Sequence, residues 1–219
     1  MIVAVAGCPN PPLLLPGITG CPVAEVEQLR AACLSAIGEL LAADPSRVVV
    51  IGAAAAGERD KPLSQLVGRL LLDQAGCRLP VERLVIAADS SPADCLAAGR
   101  QLAAAELAAG QPATPTGRIG LLVMADGSAR RSLKAPGYLD PRAGGFDGQV
   151  EQCLRSGRLD RLADLDPVLA EELLVAGRAA WQVLAGAVCA VAGTSRLHYC
   201  DDPFGVWYPV MSWRPAGER

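Results

Sequence analysis

Ile2-Val3-Ala4-Val5-Ala6-Gly7-Cys8-Pro9-Asn10-Pro11-Pro12 opens the chain, and a second apolar run of the same kind, Val48-Val49-Val50-Ile51-Gly52, follows one helical segment later. The first run is too short for a helix and has no polar alternation, so it reads as a strand buried on both faces. The prolines behind it fix an extended loop. The second run is β-branched and stops at a glycine. Between them Val26, Leu29, Cys33, Ile37, Leu40 and Leu41 recur at three- and four-residue spacing, the stripe of an amphipathic helix. Pro22 suits the first turn of that helix, and Asp44-Pro45 ends it. Strand, loop, helix, strand is the opening of an α/β domain.

The alternation continues. Leu63 to Gln74 reads as a helix stopped by Gly76, and Leu84 to Ala87 as a third strand. Ser91-Pro92-Ala93-Asp94 supplies a cap, a first-turn proline and an acid, opening a helix to about Ala109. Gly110 to Gly117 is a Pro/Thr-rich loop, and Ile119 to Met124 a fourth strand. Asp126 to Gly145 is the longest irregular segment, and long structured loops behind strands are disproportionately functional. Phe146 to Leu154 reads as helical. Asp166-Pro167 starts one long helix through Leu173, Trp181, Leu184 and Val188. Ser195–Cys200 and Val206–Trp213 are expected to pair as a hairpin across Asp202-Pro203-Phe204-Gly205, which places Asp, Pro and Gly at favoured turn positions. The expected fold is a single domain over residues 1–219: a three-layer α/β sandwich with a mostly parallel, mixed sheet and a C-terminal hairpin. Ligands of such sheets bind at the carboxyl ends of the strands. Here those ends carry the loops Cys8–Pro12, Gly52–Glu58 and Ala125–Arg131.

Composition narrows the function classes. Aromatic residues are 4% and the formal net charge is −3, with no basic run, which argues against a nucleic-acid partner. No segment reaches the ~18 uninterrupted apolar residues of a membrane span. Val5-Ala6-Gly7-Cys8 looks like a lipoprotein cleavage site but lacks a preceding positive charge and a full apolar region. The 8 cysteines form no C-x-x-C pair and mostly sit in apolar patterns, which fits a reducing cytoplasm. Gly52 to Gly57 has the wrong glycine spacing for a phosphate loop.

Cys8-Pro9-Asn10-Pro11-Pro12-Leu13-Leu14-Leu15-Pro16 resembles the N-terminal His-Pro-Pro-Leu-Leu-x-Pro motif of class III extradiol ring-cleavage dioxygenases, in their catalytic subunit-B family. Met124-Ala125-Asp126-Gly127-Ser128-Ala129 resembles that family's Ser-Gly-Asp-x-Ser-His loop. Ala135-Pro136-Gly137-Tyr138, Phe146-Asp147, Gly177-Arg178-Ala179-Ala180-Trp181 and Gly205-Val206-Trp207-Tyr208 continue the likeness over nearly the whole chain. It is nearest to short, alanine-rich, actinobacterial relatives. The resemblance implies the fold already read from the alternation. It also implies a ferrous site of two histidines and one carboxylate, with a further histidine as acid/base.

The chain departs from that pattern where the chemistry sits. Asn10 stands in place of the first ligand, Ala53–Asp60 holds no histidine for the second, and Ala129 stands in place of the acid/base histidine. With His198 as its single imidazole, one chain cannot supply a two-histidine site. No catalytic residue is therefore assigned, no cofactor is expected, and Asn10 and Asp201 remain only as weak metal candidates. The pocket is expected to be lined by Asn10, Ala53, Asp126, Ser128, Ala129, Arg130 and Tyr138, with the Ser128 hydroxyl and Arg130 guanidinium placed to hold an anion. His198 is expected to be structural, and Cys8 is the thiol nearest the pocket loop. The leading expectation is a small-ligand-binding pseudoenzyme. Its rivals are a divergent metal-dependent oxidoreductase or hydrolase using the same pocket, and a subunit whose role is homo-oligomeric assembly.

Overall fold

Residues that alternate between two apolar layers must lie in a strand covered on both sides, and β1 (Ile2–Cys8) is such a strand. Ala4, Ala6 and Cys8 enter one core and Val5 the other. The computed structural model describes residues 1–55, 62–108, 117–189 and 191–217. The loop expected over 110–116 and most of the one over 53–60 lie outside the described residues.

The chain runs from β1 through α1 (Ala24–Leu41), β2 (Arg47–Ala54), α2 (Leu63–Gln74), β3 (Val81–Ala87), α3 (Pro92–Ala108) and β4 (Ile119–Met124). It continues through α4 (Ala143–Ser156), α5 (Pro167–Glu172), α6 (Arg178–Ala187), β5 (Gly193–Asp201) and β6 (Tyr208–Pro215). The six strands form one sheet in the order β3-β2-β4-β1-β6-β5. β3, β2, β4 and β1 are mutually parallel, while β6 runs antiparallel to β1 and β5 antiparallel to β6. α1 and α2 cover one face, and α3, α4, α5 and α6 the other, giving the expected three layers with a mixed sheet and a closing hairpin. Among the described residues no helix is long and apolar enough to cross a membrane.

Local chemistry explains most boundaries. α1 buries Val26, Leu29, Cys33, Ala36, Ile37 and Leu40, the stripe visible in the sequence. Its N-cap is Val23, so Pro22 precedes the helix instead of occupying its first turn. α3 opens on Ser91, whose Oγ accepts from Asp94 N (3.2 Å) and donates to Asp94 Oδ2 (2.7 Å). α2 ends at Gln74, with Gly76 left-handed at φ 73°. The hairpin turn closes with Gly205 N–H donating to Asp202 O at 2.9 Å.

Two further expectations need correction. The long helix from Pro167 to Val188 is two helices, α5 and α6, separated by a left-handed Leu174 (φ 56°). The break is imposed from outside, because the loop after β4 docks there. Ala129 N–H donates to Leu173 O (3.1 Å) and Gly177 N–H to Asp126 O (3.2 Å). A Cβ on Gly177 would lie 2.4 Å from Asp126 O, so the approach needs glycine. The last strand starts at Tyr208 and not at Val206, because Trp207 spends its backbone groups on the same loop: Gly127 N–H donates to Trp207 O (2.8 Å) and Trp207 N–H to Ser128 O (2.9 Å).

Candidate functional site

β1 and β4 are neighbours and parallel, yet the chain leaving β1 goes to the α1 face and the chain leaving β4 goes to the opposite one. That divergence is a topological switch point, where an open sheet leaves a crevice at its carboxyl edge. Asn10 and Asp126 flank it. The Asn10 backbone N–H donates to Asp126 Oδ1 at 2.7 Å and ties the two loops together. The bond comes from the main chain of Asn10 and not from its side-chain amide.

Asp126 follows Met124 on the α1/α2 face and is the most perturbed carboxyl of the edge. Burial pushes it up to about 6, against the opposing pull of the Asn10 N–H. Its second oxygen has no hydrogen-bond partner among the described residues. The Tyr208 phenol stands near on the same face, pushed up first by burial and then by the Asp126 charge. Sequence reading missed Tyr208, although its place at the start of the last strand puts it at this edge.

The other expected pocket residues scatter. Ala53 is half-buried and packs into the α3/α6 core, on the other face from Asp126. Ser128 is fully buried, and its hydroxyl donates to Asp147 Oδ2 (2.5 Å) while its N–H donates to Asp147 Oδ1 (2.9 Å). It anchors the loop and is not placed to hold an anion, which corrects that expectation. Burial raises Asp147, opposed by Ser128 and by Arg131. Arg131 Nε reaches Asp147 at 3.8 Å and Asp202 at 2.7 Å, linking the loop to the hairpin turn. Ala129 is spent on backbone bonds to Leu173 and Gly137. Arg130 accepts at its carbonyl from Asp140 N–H (3.1 Å), and its buried Nε has no hydrogen-bond partner among the described residues. Tyr138 is left-handed (φ 61°) with its side chain at the surface.

Geometry places the histidine and the residues named for a metal. His198 Nε2 lies 2.9 Å from Ser212 Oγ, which donates its own proton to Glu39 Oε2 at 2.5 Å. The imidazole is therefore the donor to Ser212, and burial holds it below its ordinary value. This set sits among α1, β5 and β6, level with the middle of β1, and not at the crevice. Asp201 is exposed and accepts from Asp202 N–H at 2.8 Å. Among the described residues no three of His, Cys, Asp and Glu converge as metal ligands. A site of two imidazoles and a carboxylate does not fit this chain, whose one imidazole is bonded elsewhere. Cys8 is fully buried beside Cys33, which with burial raises its thiol well above the ordinary value, so it packs and does not react.

No family model matches the chain, and no curated protein matches it in sequence. Among solved structures it is similar to an uncharacterized protein from Escherichia coli K12, at 13% identity with a TM-score of 0.53. The superposition covers 97% of this chain and 99% of that one, so the likeness is one of fold along nearly the whole of both molecules.

Proposed function

We propose that this chain is a degenerate relative of the class III extradiol dioxygenases, of the subunit-B type, that binds a small molecule at the carboxyl edge without cleaving aromatic rings. The observation that carries the reading is the commitment of its one imidazole to Ser212 and, through it, Glu39, while the crevice offers Asp126 with one oxygen that has no hydrogen-bond partner among the described residues. Such an edge keeps the means to hold a polar ligand group but lacks the ligands and the base that ring cleavage requires. Anaerobic reconstitution with ferrous iron followed by catechol and oxygen tests it. No stoichiometric iron and no ring-opened product are expected, and tight one-to-one iron with turnover would sink the proposal. One observation favours an enzymatic alternative: a carboxyl held near 6 beside a phenol suits proton transfer. Under that reading Asp126→Asn abolishes turnover of any substrate found, whereas under the binding reading it only changes affinity.

A further inference from the structure

Two charged residues among the described ones are buried, and they differ in one respect. Asp147 has Arg131 as its counter-charge. Arg178 has none: it is 6% exposed, and no carboxylate lies within ion-pair distance among the described residues. A guanidinium stays charged at physiological pH, so burial without an anion is costly unless another group supplies the charge.

The hydrogen bonds of Arg178 are one-sided. Nη1 donates to Ser90 O (2.6 Å) and Gln182 Oε1 (3.0 Å), with Cys95 Sγ at 3.8 Å, and Nη2 donates to Ala88 O (2.6 Å). Gln182 is itself fixed, its Nε2 donating to Leu165 O at 3.0 Å. The Nε–H and the second N–H of Nη2 have no acceptor among the described residues. Nε–H and Nη2 share one edge of the guanidinium, the edge that takes a carboxylate in a bidentate fork.

Arg178 lines a cleft of about 460 Å³ on the α3/α6 side of the carboxyl edge, within the size range of small-molecule sites. Its walls are mostly apolar, with Ala88, Pro167, Val168, Leu174 and Val175 among the lining residues. Val168 and Leu174 leave 64% and 46% of their surface exposed there. Leu174 holds its place in a left-handed conformation, φ 56°, that bulky residues rarely adopt. Asp89 and Glu171 also line the cleft, so a second negative charge on a ligand would be repelled.

We propose that this cleft is a binding site for a small organic monocarboxylate with an apolar body, whose carboxylate takes the open side of Arg178 while the body lies against Val168 and Leu174. The site is separate from the Asn10–Asp126 crevice, which faces the α1/α2 side, and stands or falls independently of it. It is tested on the full chain by calorimetric titration with hexanoate, hexanamide and adipate. Hexanoate is expected to bind saturably, at least about tenfold tighter than the neutral amide or the dianion. Equal affinity for acid and amide, or no saturable binding of hexanoate, overturns the proposal.

Arg178→Gln should abolish the preference for hexanoate over hexanamide. Because Arg178 also ties down the turn after β3, Val168→Glu serves as the arm that spares the fold. Val168 is exposed in the first turn of α5, where an acid suits the helix. That variant should weaken hexanoate about tenfold or more with an unchanged thermal midpoint, and an unchanged affinity would overturn the assignment to this cleft.

Discussion

An aspartate in the unfolded chain loses its proton near pH 3.9, whereas Asp126 in the fold keeps it to about 6. Between those values the native state holds a proton that the unfolded state has released, so stability falls as pH rises through the window and levels off above it. The loss is on the order of 2–3 kcal/mol at neutral pH. Asp126→Asn keeps an acceptor for the Asn10 N–H and has no proton to lose. Urea unfolding should therefore find the variant more stable than the parent by about 2 kcal/mol at pH 8 and equal to it below pH 4. The opposite order at pH 8 would show that the ionised carboxylate stabilises the edge. Ser128 gives a second single-residue outcome. Ser128→Ala leaves the buried Asp147 carboxyl without its hydroxyl donor, and a loss of about 1–3 kcal/mol is expected in the same measurement. The sequence made Asp126 and Ser128 visible as polar residues behind an apolar strand. It could not say which faced the crevice and which was buried, because the partner of Ser128 lies 19 residues away.

Elements whose boundaries are set by their own residues were legible, and those set by a docking neighbour were not. α2 was read to the residue, because a leucine stripe and Gly76 specify it locally. The break between α5 and α6 was hidden, since the sequence there is helix-compatible and the loop after β4 imposes the turn through the Leu173 and Gly177 backbones. Arg178 was seen only as part of a motif. A signal was nevertheless present: a lone arginine opens a segment whose other polar side chain is Gln182, one turn on, and α6 turns out to be buried from end to end. The contact of α6 with α3 makes another prediction at this scale. A Cβ on Gly99 would lie 2.1 Å from Val183 O, and one on Gly186 would lie 2.3 Å from Leu96 O, so the two backbones cross in direct contact. Gly99→Ala, in spite of its better helix propensity, should destabilise the fold by about 1–3 kcal/mol because helix backbones cannot give way as side chains do. A neutral or stabilising result would mean that α3 and α6 are not packed this closely.

At the scale of the whole molecule, the sheet separates two cores that share strands but not faces. Alternation along β1, β2 and β4 sends Val5, Val49 and Leu121 to the α3/α6 side and Ala6, Val50 and Leu122 to the α1/α2 side. This partition explains why the architecture could be read from short apolar runs, each of which had to be covered twice. It also explains why the sites could not be read. Position on a face decides whether Ala53 or Tyr208 meets Asp126, and that depends on strand order, which puts β4 between β2 and β1. If the partition is real in energetic terms, damage on one face should not propagate to the other. Leu40→Ala on α1 and Leu184→Ala on α6 each remove a fully buried side chain, from different cores. Each should cost about 2–5 kcal/mol, and the double variant should lose the sum to within about 0.5 kcal/mol. Denaturant titration of the four chains measures this directly. A coupling above about 1 kcal/mol would show that the sheet transmits packing strain between its faces, in which case a ligand against Arg178 would also be felt at Asp126.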